Sequence, residues 1–168
     1  PSMDVYDPTS VDSTIGTVYI RNNLSVNGTV TSGSDDYLKK NEVKITNATQ
    51  TLSKLSPQLY DKYANKDLSG NYCVESGLIA QEVYYNAPEL RHLVNPGIDN
   101  SDNEIIPLEM DLSNVDINND PDYSAYGWIG DEGASLNYIG LIAYLIKSNQ
   151  ELDERIIELE TTELESIS

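Results

Sequence analysis

In Gly33-Ser34-Asp35 a hydroxyl stands beside a peptide bond whose acyl residue has no side chain. Ser34 Oγ can reach the Gly33 carbonyl carbon through a five-membered ring. That attack moves the acyl group from nitrogen to oxygen and leaves an ester for water to cut. Ser34–Asp35 is the other candidate bond. Either cut needs a base for the hydroxyl proton, and Lys39 lies five residues on. A lysine accepts a proton only as the neutral amine, which burial favours, and Ser-Lys pairs are a known nucleophile–base solution. A Ser and a Lys this close in a polar loop are more often simply solvated, so the pair alone does not decide the chemistry.

Other chemistry is thinly supplied. The chain has 168 residues with one Cys and one His. Cys73 therefore forms no intrachain disulfide or multi-cysteine zinc site and reads as a small buried hydrophobe. His92, between Arg91 and Leu93, reads as a surface or packed histidine. Asp116, Asn118, Asp120 and Asp122 alternate as calcium-loop ligands do, but Pro121 stands where such a loop needs Gly and Gly127 where it needs Glu. Neither a metal site nor a cofactor is expected. The sequons at Asn23, Asn27 and Asn47 lack a secretory signal to give them meaning. With 10 Lys+Arg against 28 Asp+Glu the net charge is -18, which argues against nucleic acid and anionic membranes as partners. No apolar run approaches the ~20 residues of a spanning helix.

The elements that must position Ser34 and Lys39 begin upstream. Thr14 to Thr31 alternates β-branched and polar residues around the turn signal Asn27-Gly28. Such polar strands suit either an interchain stalk or a plain hairpin at a domain edge. Asn47 is expected to cap a short helix that carries Leu52 and Leu55 and stops at Pro57. A strand–turn–strand hairpin follows around Ser69-Gly70-Asn71, then a second short helix through Ile79–Val83 closed near Pro88. Asp99 to Glu132 holds ten carboxylates and reads as a long acidic excursion with one strand, Glu104 to Leu108, anchored at Tyr123, Tyr126 and Trp128. Twelve Tyr and no Phe mean that buried rings must find partners for their hydroxyls.

The final segment is a helix over about 137–163. Ile142, Asn149 and Ile156 fall at a positions, and Leu145, Leu152 and Leu159 at d positions, of a heptad seam. In its first half Ile139, Leu141 and Tyr144 widen the apolar face, as in a helix packed on its own domain. In its second half the face narrows to the seam, which favours self-association. Parallel assemblies of two or three strands both fit, and a stalk-like N-terminus favours three.

These segments together resemble a known family. Ser34-Asp35-Asp36-Tyr37-Leu38-Lys39, the helix ending Leu52-Ser53-Lys54-Leu55-Ser56-Pro57, and Ser76-Gly77-Leu78-Ile79-Ala80-Gln81-Glu82-Val83 are similar to the intramolecular chaperone auto-processing domain (peptidase S74 family). That domain closes endosialidase-like viral tailspikes and fibres. Ala87-Pro88-Glu89-Leu90, Ser135 to Ile142 and Ile146 to Leu152 continue the resemblance in the family's order, so that it frames Ser34 to Glu160. Asp36 and Tyr37 replace residues that are often basic in the family, Lys40 stands where an acid is common, and the acidic excursion is longer than in compact members.

The resemblance implies an α+β fold in an intertwined homotrimer: an N-terminal β-stalk (1–33), a small mixed α/β body, and a three-stranded parallel coiled coil closing the 34–168 domain. It implies that the domain brings three fibre chains together and then releases itself at Ser34, with Ser34 as nucleophile and Lys39 as base and no cofactor. Its partners would be two further copies of itself and the upstream fibre chain. It would be made in the host cell, the fibre going to the virion and the chaperone being shed. Two rivals are a trimerisation cap that does not cleave and a receptor-binding tip that uses the Tyr-rich acidic excursion.

Overall fold

The structure is a computed structural model that describes residues 26–30, 34–63, 67–97, 104–111, 121–129 and 133–167. It divides into two units, Pro1–Glu42 and Val43–Ser168. The expected stalk strands and Gly33 lie almost wholly outside the described residues, as do Asp116, Asn118 and Asp120.

The second unit is a small mixed α/β body with a long C-terminal helix and two small antiparallel sheets. Its elements run α1 (Ala48–Leu52), β1 (Gln58–Tyr63), β2 (Tyr72–Gly77), α2 (Ala80–Asn86), a 3-10 helix (Pro88–Leu93), β3 (Val94–Asn95), a 3-10 turn (Tyr123–Tyr126), β4 (Ser135–Leu136) and α3 (Tyr138–Ile167). The first sheet is the expected hairpin, running from Gln58 opposite Gly77 to Tyr63 opposite Tyr72. That last pair of rings lies 5.4 Å apart, a cross-strand contact that helps hold the register. In the second sheet Val94 pairs with Leu136, which ties the start of α3 to the 3-10 helix.

The core gathers where three segments cross. Val83 and Ala87 of the α2 segment, Leu90 and Leu93 of the 3-10 helix, Val94 and Leu141 of α3 are buried together, with Leu52, Leu55, Leu78, Leu136 and Tyr144 packed around them. Asn137 Oδ1 accepts from the Gly140 amide at 3.1 Å and so caps α3. A side chain at Gly140 would run into Leu93, so glycine there permits the close approach of α3 to the core.

The hydroxyls of Tyr85, Tyr138 and Tyr144 reach partners. Tyr138 Oη accepts from the Leu78 amide at 2.9 Å. Trp128 Nε1 donates to Tyr85 Oη at 2.9 Å, and that hydroxyl donates to the Leu108 carbonyl at 2.8 Å. The second chain of bonds fastens the described part of the acidic excursion to α2, and the Arg91 guanidinium covers the Tyr84 ring beside it at 4.4 Å.

Several expectations are corrected. Asn47 does not cap α1. Its backbone is left-handed (φ 56°) and its side chain makes no capping bond, because a cap needs an extended backbone to bring the side chain back over the helix. Glu151 of α3 takes that role, accepting from the Ala48 amide at 3.1 Å and the Thr49 amide at 2.9 Å. Glu104–Leu108 is not a strand: only Glu104 makes a bridge, and the ladder stops there. Cys73 is exposed, since a two-stranded hairpin has too little body over it to bury a side chain on β2. Ile139 is exposed too, while Leu141 and Tyr144 face the body as expected. The helix ends at Ile167 rather than near residue 163.

Leu90 is fully buried. Leu90→Ala should cost about 2–5 kcal/mol, read as a lower denaturation midpoint. The Thr49 amide first, and the Ala48 amide after it, hold the Glu151 carboxyl below the usual carboxylate range. A lowered folded-state value stabilises above the ordinary glutamate value of about 4.3 and is lost as pH falls through the folded-state value. The acid limb of a thermal-melt-against-pH profile should therefore be shallower in Glu151→Gln than in the parent chain.

Candidate functional site

The first unit contains the pair singled out by its chemistry. Asp35 is extended (φ -73°, ψ 132°), and its carboxylate accepts from the Tyr37 amide at 3.0 Å. That bond turns the chain into a single 3-10 turn, Asp36–Leu38, closed by Leu38 N–H to Asp35 O (3.1 Å) and Lys39 N–H to Asp36 O (2.9 Å). The turn folds Lys39 back over Ser34. Lys39 Nζ lies 2.8 Å from Ser34 Oγ and 3.1 Å from the Ser34 carbonyl oxygen.

Both side chains are exposed, and the two apolar residues on the turn are almost wholly so, Tyr37 at 93% and Leu38 at 82%. Lys39 Nζ donates to both oxygens. With the amine neutral, the same 2.8 Å contact would let Oγ–H donate to Nζ, the direction that general-base catalysis needs. The bond to the Ser34 carbonyl fixes the ammonium against the backbone of the residue it would serve. Asp36 forms no ion pair with Lys39 among the described residues. Gly33, the acyl residue of the Gly33–Ser34 bond, lies outside the described residues, so the geometry concerns the nucleophile and base alone.

The chain matches no protein-family model, and no curated protein matches it either.

The other expected site residues belong to the second unit. Ile142, Leu145, Asn149, Leu152, Ile156 and Leu159 are all exposed along one side of α3, the leucines and isoleucines at 45–64%. Leu141, Tyr144, Ser148 and Glu151 occupy a second stripe one residue away, about 100° round the helix, and that stripe meets the body. The sequence points to Leu141 and Tyr144 as body-facing, but it misses the parts of Ser148 and Glu151 in that stripe, and with them a groove of about 570 Å³ alongside α3. Leu52, Leu55, Leu59, Leu78, Leu141 and Leu145 line it. Its leucines come from segments far apart in the sequence, so no local pattern announces it. Among the described residues no cluster of His, Cys, Asp and Glu could hold a metal ion, and no helix is long and apolar enough to cross a membrane.

Asp35→Ala removes the acceptor that fixes the turn. Hydrogen exchange at the Tyr37 amide should then quicken by roughly fivefold, the worth of a typical side-chain cap.

Proposed function

We propose that this chain is a C-terminal intramolecular chaperone of a viral fibre or tailspike, which assembles as a trimer and then cuts itself free at Ser34. The observation that carries the reading is the 2.8 Å contact between Lys39 Nζ and Ser34 Oγ. Two residues chosen for their chemistry, in a segment resembling the auto-processing family, are brought together by a turn built from the residues between them. The exposed seam of α3 supports the assembly half of the reading.

The cut proceeds with a simple balance. Neutral Lys39 takes the Ser34 hydroxyl proton as Oγ attacks the Gly33 carbonyl carbon. The C–N bond breaks, the proton passes to the departing Ser34 nitrogen, and the acyl group rests on Oγ as an ester. Water then hydrolyses that ester, returning the Ser34 hydroxyl and leaving a Gly33 carboxylate. A lysine is neutral most readily when buried, and three copies closing over the exposed Tyr37–Leu38 turn would supply that burial. Cutting therefore waits for assembly. Once the chaperone has left, a fibre built from non-local interchain contacts has lost its easy route to unfolding.

Denaturing gels of the full chain carrying its upstream fibre segment test this. The parent should yield a piece ending at Gly33 and a piece starting at Ser34. Ser34→Ala should give one band, Lys39→Ala should cut about 10²–10⁴-fold more slowly, and the seam variant Leu152→Asp should stay monomeric and uncut. A trimeric parent that remains one band, or a Ser34→Ala chain that still cuts, would replace this reading with a trimerisation cap that does not cleave.

A further inference from the structure

We infer that the groove beside α3 is the seat of Ile146 from a neighbouring copy, so that the folded body, and not the heptad seam alone, grips the partner helix. The inference rests on the assembly half of the proposed function and identifies the surface that performs it.

With Ile142 at a and Leu145 at d, Leu141 stands at g and Ile146 at e. In a parallel coiled coil a g residue faces the e residue of the following heptad on the next chain. Leu141 therefore faces the neighbour's Ile146. Leu141 is buried against its own body and lines the groove together with the d residue Leu145. The groove is thus continuous with the seam and opens at the place where the neighbour's e side chain must arrive. Ile146 itself is 56% exposed in the single chain.

The change of residue type along the helix follows the same geometry. Beside the groove, e and g are Ile146 and Leu141. Farther on, e becomes Asp153 and Glu160, while g becomes Ser148, which is still held against the body by Thr49, and then Arg155 beyond the end of the body-facing stripe. The parallel register sets Arg155 against the neighbour's Glu160, opposite charges facing. An antiparallel register would set Asp153 and Glu160 against e positions of the other chain, acid against acid. Charge complementarity and the groove thus select the same occupant, a second copy of this helix in parallel.

The test is the association midpoint of the full chain, measured by sedimentation across a dilution series. Ile146→Glu should raise that midpoint about tenfold or more, given the worth of burying one aliphatic side chain. Ile157→Glu alters a side chain that is equally exposed (55%) but lies at b, outside the interface, and should stay within about twofold of the parent. Both positions face solvent in the single chain, so neither variant threatens the fold. Arg155→Glu should weaken association, and Arg155→Glu with Glu160→Arg should restore it. Equal effects at 146 and 157, or no recovery in the double variant, would overturn the groove and the register. A parent chain that is monomeric at every concentration would instead overturn the assembly reading beneath them.

Discussion

The Glu151 carboxylate is the clasp on which the body depends. Helix α1 has only five residues and no cap of its own, too short to persist by hydrogen bonding alone. Glu151 accepts from its first two amides, and Ser148 Oγ lies 3.1 Å from Thr49 Oγ1. A charged acceptor on backbone amides makes a strong, directional bond. It sets the rotation of α3 about its own axis, so that Leu141 and Tyr144 turn to the core and the stripe one residue away turns outward.

That rotation gives α3 two faces with separate duties. The inner stripe ends at Glu151, because residues 155, 158 and 162 on the same line are Arg, Glu and Thr. Beyond that point nothing apolar remains to hold the helix to the body, while the outer seam runs on to Leu159. A single chain thus leaves a long apolar stripe in water, which soluble monomers seldom do. The net charge of -18 makes this costlier to satisfy, since every copy added brings repulsion that buried apolar surface must outweigh. The interchain pairing inferred for Arg155 and Glu160 would use one of few basic residues where it offsets that repulsion directly.

The Ser34–Lys39 turn has a different economy. Six residues suffice to build it, and its bonds are local: an aspartate accepting from an amide two residues on, two backbone bonds, and the lysine returning to the serine. Local geometry can be preformed before any partner arrives, whereas the desolvation that would make a lysine a base cannot. Under the proposed function, separating the two would allow the dyad to be present in every newly made chain and yet to act only once the chains are together.

The sequence by itself determined whatever depends on near neighbours. The hairpin from Gln58 to Gly77, the helix with its 3–4 seam and the start of that helix at Asn137 follow from residues near one another along the chain, where spacing is geometry. The approach of Lys39 to Ser34, which the sequence offered only as a candidate, is made by a turn local to that segment. Only the tertiary structure decided what long-range contacts control. Asn47 looked like a cap, but its left-handed backbone handed the role to Glu151, 103 residues away from Ala48. Cys73 looked buried, but a two-stranded hairpin gives it no cover. The leucine-lined groove exists because α1, the hairpin base and α3 meet, and its leucines, read along the chain, belong to three unrelated patterns. Periodicity shows that a residue has an apolar face to bury; the surface that covers it is set by the packing of the whole chain.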